Sequence, residues 1–310
     1  MQPTAKHRKP ALAAFGLAAL GLAASLFSSC ALLRAASSAH EVLLQEGDPE
    51  LAAAALPSFI EASAILLAGD PTNQDKIVTT ASLYVMYASA FIDGPSSFLP
   101  DEQFEARQEA VRRAGALYRR AYHLLDPALE RRSPGLLKAV GGPGEAAAVA
   151  RFGKRDVPLL YWSAASVLAA FALDPMDFES AGRLGAASAL LARAAALDPG
   201  WNGGAIYALY FPYYASLPDY LGGSRAKAEE AYAKALAYSK GHLASLFVSR
   251  ATAICIPDDD YAGFKAALAQ ALAVDLDADP DSRLPNAIAQ DRARKLLANA
   301  GKYFDLNNGE

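Results

Sequence analysis

Four aspartates, Asp275, Asp277, Asp279 and Asp281, alternate in the manner of a calcium-binding loop. An EF-hand loop needs a Gly at its sixth position and a Glu at its twelfth. Counted from Asp275, those positions hold Pro280 and Asn286, so the acids read as a solvated turn. Asp258, Asp259 and Asp260 read as the N-cap and first-turn charges of the helix that follows them. His40, His123 and His242 stand apart, with no Cys, His or paired Glu at metal-ligand spacing. Cys255 lies in the apolar run from Ser245 to Ile256 and reads as a small core residue. There is no Gly-x-Ser-x-Gly and no His-Glu-x-x-His. Gly153-Lys154 is followed by Arg155, and no Gly stands five residues before Gly153, so no phosphate loop is encoded. The residues call for no cofactor, no metal and no enzyme.

Aromatic side chains are the remaining candidates for a site. Trp201, Tyr207, Tyr210, Phe211, Tyr213, Tyr214 and Tyr220 crowd one short stretch. Tyr207, Tyr210, Phe211 and Tyr214 share a helix face, as a packed core would. Tyr213 points elsewhere, and Pro212 sits inside the helix, where it frees a carbonyl and bends the axis. The stretch therefore fits two readings, core packing and the lining of a ligand cleft or pore. The second reading predicts that Tyr213 and Tyr220 are more exposed than Tyr207 and Tyr210.

The elements that must position these residues are helices. Ala187, Leu191 and Ala194 are followed by Asp198-Pro199, and Ala228, Tyr232 and Ala235 repeat the spacing. Alanines seven apart share one face and admit a neighbouring helix closely, and the large residue between them fills the gap. Asp-Pro then ends the helix. Ala114, Tyr118 and Ala121 repeat the pattern before Asp126-Pro127, and Asp260, Phe264 and Ala267 repeat it with the first Ala replaced. The four anchors lie 73, 41 and 32 residues apart, where a regular tetratricopeptide array shows about 34 throughout. The expected fold is all-α, an irregular tetratricopeptide-like array of helical hairpins forming an α-α superhelix. An alanine-rich bundle with coincidental spacing is the alternative.

The pattern predicts helices over 31–46, from Asp48-Pro49 with Pro57 kinking or dividing it, over Asp75 to Phe91, and from Asp101 to about Leu125. Gly94-Pro95-Ser96-Ser97 reads as a turn, and Ser133-Pro134 and Gly141 to Gly144 bracket a loop-rich connection. Further helices run from Asp156-Val-Pro158 to Asp174-Pro175 and from Ser282 to about Ala300-Gly301. Of 310 residues, 53% are hydrophobic but only 9% aromatic, so alanine carries much of that count. Alanine is the best helix former, and no segment alternates Val, Ile and Thr.

Residues 1–30 read as a targeting segment. Lys6, His7, Arg8 and Lys9 form a positive start, Ala11 to Phe27 is apolar, and Leu26-Phe-Ser-Ser-Cys30 follows. This resembles a bacterial lipoprotein signal in which Cys30 is lipidated and becomes the first residue. Phe27 departs from the usual Leu. The alternative is an uncleaved helix, since Ala11 to Leu33 is uncharged and long enough to span a membrane. In both, the remaining helical domain, 31–310, sits outside the cytoplasm on a tether. Formal net charge is −4; without Lys6, Arg8 and Lys9 the remainder holds 26 basic residues against 33 acids, a net of −7. That argues against nucleic acid as a partner.

With these residues assembled, the chain resembles the T component of TRAP transporters, the TatT lipoprotein family. The matching segments are Leu83 to Phe91, Arg113 to Arg120, Ala195-Ala-Leu-Asp-Pro-Gly-Trp-Asn-Gly-Gly204, Leu221-Gly-Gly-Ser224 with Ala228 to Ala235, and Arg283-Leu-Pro-Asn286 with Ala293 to Leu297. They follow in order over residues 40–300. Ala121 stands where the family pattern expects a Gly. The resemblance implies a non-enzymatic, membrane-anchored homotrimer with a central pore on the periplasmic side of the bacterial envelope. It also implies association with the transporter's periplasmic solute-binding protein and delivery of a small solute, hydrophobic ones included. A generic repeat scaffold for envelope or secretion machinery is the second expectation, and an envelope enzyme with a dispersed site the third.

Overall fold

The structure is a computed structural model and describes residues 42–306. The targeting segment, Cys30 and most of the helix expected over 31–46 lie outside the described residues. Within them every regular element is helical.

Ten principal helices carry the fold. They are α1 (Pro49–Ala68), α2 (Gln74–Tyr87), α3 (Phe104–Arg132), α4 (Val157–Leu173) and α5 (Leu184–Leu197). The second half adds α6 (Trp201–Ser216), α7 (Arg225–Ser239), α8 (Ala244–Arg250), α9 (Tyr261–Leu272) and α10 (Arg283–Ala298). Their starts follow local chemistry. Asp48 accepts from the N–H groups of Glu50 and Leu51, with Pro49 at the first helical position. Asn73, Ser224 and Asp260 cap α2, α7 and α9 in the same way. Asp174 and Asp198, each before a proline, close α4 and α5. Lys240 and Gly241, both left-handed, end α7.

Two prolines do not act as the sequence reading expects. Pro57 neither divides nor ends α1, which is continuous. Helix α3 does not stop near Leu125; it passes through Pro127 and runs to Arg132. Pro127 costs one backbone hydrogen bond, but Ala128 and Leu129 beyond it are buried, and good helix formers continue the turn. Asp126 does not cap; its carboxylate accepts two hydrogen bonds from Arg183, at 3.0 and 2.9 Å. The turn expected at Gly94 to Ser97 is helical over Gly94–Ser96. The connection after α3 holds two short helices, Leu136–Ala139 and Glu145–Val149.

Helices α2 and α8 each end in wider π-helical turns, Ala88–Asp93 and Ala251–Cys255. Gly94 N–H donates to Ser89 five residues back, and Ile256 to Ala251. Such turns re-aim side chains and recur at functional sites. Gly94 suits this geometry, because a Cβ there would lie 2.9 Å from the Ser89 carbonyl oxygen.

Successive helices pack on one another, α1 on α2, α2 on α3, α3 on α4 and α4 on α5. Helices α6 and α7 pair, and α8, α9 and α10 form a triplet. The repeat alanines Ala114, Ala187, Ala194, Ala228 and Ala235 are all buried, as are Tyr118, Leu191 and Phe264. One large apolar cluster runs from Leu43 to Leu284 and a smaller one from Ala244 to Phe304, with Tyr232 and Leu236 packed against both. The end of the array returns to its beginning. Helix α10 contacts α1, Gln45 Nε2 donates to Asp281 Oδ1 at 3.0 Å, and Arg283 donates to the Gln45 carbonyl at 3.3 Å.

By length and composition alone, Pro49–Ala68, Gln74–Ser96 and Lys154–Leu173 could cross a membrane. For the last two, burial inside this body already accounts for the apolar composition, since half or more of each is covered by other helices.

Candidate functional site

The closure of α10 onto α1 leaves a cavity of about 410 Å³. Leu43, Leu44 and Leu56 wall one end together with Leu284 and Pro285 of α10. Val85 and Met86 come from α2, and its π-helical turns add Ser89, Ala90 and Phe91. Helix α4 contributes Tyr161, Trp162, Ala165 and Ala169, and α8 contributes Ser245, Val248 and Ser249. The volume and apolar lining are those of a small-molecule pocket.

An aromatic layer supports one wall. Tyr161 meets Trp162 edge-on at 5.1 Å, and Trp201 packs behind Tyr161 with ring centroids 4.6 Å apart. Burial pushes the Tyr161 hydroxyl up to about 12, so it stays neutral. Trp201 reaches this place because of an unusual turn. Asn202, Gly203 and Gly204 all have positive φ, and regular helix begins only after them. Gly204 is required there twice over, since its φ is +88° and a Cβ would lie 2.8 Å from the Cβ of Tyr238.

The other aromatics of that stretch lie elsewhere. Phe211 is wholly buried and packs on Tyr232 at 5.1 Å; Tyr210 is buried and stacks on Tyr214 at 5.2 Å. Tyr207 stacks on Tyr238 at 5.7 Å, with Lys234 over its ring. Tyr207 and Tyr213 are both half-buried, whereas Tyr220 is 85% exposed. Of helix α6, only Leu209 reaches the cavity. The lining comes instead from helices whose apolar residues read as ordinary core in the sequence.

At the far end of the cavity the lining turns polar. Asp291, Arg292 and Lys295 of α10 stand beside Gly94, Pro95 and Phe98. The buried Tyr118 hydroxyl bonds to Ser89 and Asp93 beneath them, and burial raises its pKa far above the usual phenol range. Burial also pushes the Asp93 carboxyl up, against the pull of Arg292.

A second, open groove of about 990 Å³ lies between α7, α8 and α9. Its charges are spent on one another: Arg225 pairs with Asp258 at 2.5 Å and Arg250 with Glu229 at 2.8 Å. Cys255 on its floor is buried, and desolvation raises its thiol, so it is a poor nucleophile. His123 pairs with Glu179 at 3.1 Å beside the Arg183–Asp126 bridge, tying the short helix Phe178–Gly182 to α3. Asp275 and Asp277 make only local bonds, Asp277 N–H donating to Asp275 and Arg283 donating to Asp277. Among the described residues no three His, Cys, Asp or Glu gather as a metal site.

The cavity at α10 is lined mainly by apolar side chains, and the charged side chains of the open groove mostly face one another. A family model described as TRAP transporter T-component matches residues 45–304. An uncharacterized protein of Treponema pallidum (strain Nichols) is 34% identical over 266 residues, which is 85% of this chain and 82% of that protein. The chain belongs to the TRAP transporter T-component family, and its role lies in a TRAP transporter of the bacterial envelope.

Proposed function

We propose that this chain is the extracytoplasmic lipoprotein subunit of its transporter, and that the cavity between α1, α2, α4, α8 and α10 receives the solute. The cavity carries this reading. An apolar cavity left unfilled costs stability, because close packing would be more stable. The solute is small and largely apolar, passed on in company with the periplasmic solute-binding protein. The working form is a homotrimer held at the membrane through Cys30. Tyr213 and Tyr220 on the outer side of the α6 region offer amphipathic contact area for a partner. The other aromatics of that stretch support the wall or the core.

Two measurements test this. Sedimentation of the full chain in detergent, alone and with the solute-binding protein, is expected to give a trimer and a heavier complex. A monomer that fails to associate at tens of micromolar, a ceiling of roughly −6 to −7 kcal/mol, leaves only a scaffold role. Intact-mass analysis of envelope material is expected to show loss of residues 1–29 and a lipid adduct on Cys30. One acyl chain binds membranes only marginally and two or more anchor stably, so a multiply acylated mass is expected. A mass that retains Met1 refutes the lipoprotein anchor.

A further inference from the structure

The stretch from Arg113 to Arg120 takes no part in the cavity. Helix α3 carries no acid between Glu109 and Asp126, and in that interval it holds Arg112, Arg113, Arg119, Arg120 and His123. Arg112 and Arg113 stand one turn before Ala116, and Arg119 and Arg120 one turn after it. At three- and four-residue spacing the four arginines surround one exposed alanine on a single helix face. The two pairs are roughly 10 Å apart along the axis. The chain beyond its first 29 residues has a net charge of −7, so this is a positive surface on an acidic body.

Most of that charge has no carboxylate against it. Arg112 pairs with Glu109, and His123 with Glu179, which also takes Arg183. Among the described residues Arg113, Arg119 and Arg120 form no ion pair. Asp177 feels the charge of Arg119, but the two do not come within ion-pair distance. Glu61 of α1 is the acid that bears on Tyr84 beneath Arg120, and it forms no ion pair either. Two of the three guanidiniums are held in place by rings of α2. Arg120 lies 4.6 Å above Tyr84, and Arg113 lies 5.6 Å above Tyr87 and donates to its hydroxyl at 3.3 Å. A guanidinium held over a ring keeps its other donors in its own plane, in the fork that matches a phosphate.

We infer that the face of α3 bearing Arg113, Arg119 and Arg120 lies on the anionic phospholipid headgroups of the membrane to which the chain is tethered, and so orients the helical array on the bilayer. This rests on the N-terminal tether, whether through Cys30 or an uncleaved helix, and not on the cavity being the solute site. An acidic body is repelled by an anionic bilayer, so the face that can approach it is the one whose cations are unpaired. Near such a surface each guanidinium strengthens binding roughly fivefold, and three together roughly a hundredfold. That is too little to draw a free protein out of solution. It is enough for a tethered one, whose local concentration at the bilayer is already high.

The test uses the full chain in nanodiscs of phosphatidylcholine, with and without phosphatidylglycerol. Ala116→Cys carries a polarity-sensitive dye in the middle of the arginines; Cys255 is buried, and the unsubstituted chain labelled in the same way gives the blank. Ala269→Cys, on the exposed side of α9, serves as the remote control. Phosphatidylglycerol is expected to shift the emission at position 116 to the blue and leave position 269 unchanged. Salt at about 1 M, where the Debye length is about 3 Å, should reverse the shift. Arg113→Gln with Arg120→Gln should abolish it, and Arg113→Lys with Arg120→Lys should keep most of it. Arg119→Gln, which leaves both ring contacts in place, should reduce it without disturbing the fold. If position 116 reads the same in both discs, or if the shift survives the Gln variants, the headgroup assignment is overturned. A shift that follows added solute-binding protein and ignores phosphatidylglycerol makes the face a protein contact and overturns it equally. If the chain does not stay with the discs at all, the tether reading falls, and this inference with it.

Discussion

Asp156→Ala is expected to lower the stability of the folded body by about 2–4 kcal/mol at neutral pH. That corresponds to a fall in melting temperature of roughly 5–12 °C for a body of this size. Asp156 is buried at the start of α4 and serves three donors from three parts of the chain. Its carboxylate accepts from Gly153 N–H at 2.8 Å, from Arg132 Nε at 2.9 Å and from Gln74 Nε2 at 3.2 Å. It thereby joins α2, α3 and α4, whose faces include part of the cavity wall. Burial alone would raise its pKa, but those bonds outweigh burial and hold it below the usual carboxylate range. Removing it strands the Gly153 and Gln74 donors, while Arg132, half exposed, can turn to water. That is why the expected loss stops short of the largest values known for broken buried pairs.

The sign of the pH effect follows. A depressed carboxylate stabilises fully above its unfolded pKa, roughly 3.9, and the gain is lost as pH falls through the lower folded value. Urea unfolding at pH 7, 5 and 3 should therefore show the gap between native chain and Asp156→Ala unchanged at the first two and narrowed at the third. Asp156→Asn, which keeps the acceptor shape without the charge, should fall between. A variant that melts with the native chain would remove Asp156 from any role in holding the three helices together.

How much of this was legible in the sequence depends on which physical signal each feature carries. Two helix starts were legible because capping is local: Asp48 and Asp260 each satisfy an N–H two or three residues away. The repeat alanines were legible because close helix approach demands small residues at fixed spacing, and Ala114, Ala187, Ala228 and Ala235 are buried. Pro127 misled because a proline's local cost of about 3 kcal/mol was offset by tertiary burial of Ala128 and Leu129, which local reasoning does not see. The cavity was not legible at all. It arises where α10 returns to α1, a contact between residues more than two hundred positions apart. Val85, Trp162 and Ile288 look the same in sequence whether they fill a core or line a space. The π-helical turn that re-aims Ser89 and Phe91 has no sequence signature comparable to a cap.

Phe211→Ala is the second large effect, with an expected loss of about 3–5 kcal/mol. Phe211 is wholly buried, and its ring meets Tyr232 of α7 at 5.1 Å, so truncation leaves a void at the centre of the α6–α7 pair. The neighbourhood cannot collapse to fill it. On one side Gly204 and Ala235 already bring the two backbones close, a Cβ built on Gly204 lying 3.4 Å from the Ala235 Cα. On the other, Tyr210 and Tyr214 are stacked on each other. Tyr220→Ala, at a side chain 85% exposed, is expected to change stability by less than about 0.5 kcal/mol. The pair of variants separates the two readings of one aromatic stretch. A urea midpoint that drops for Phe211→Ala and holds for Tyr220→Ala means that the stretch is divided between core and surface. Loss of solute-binding protein in the Tyr220 variant would then report contact rather than misfolding. Equal losses of stability would mean that Tyr220 folds back into the body, and that the partner surface must be sought away from α6.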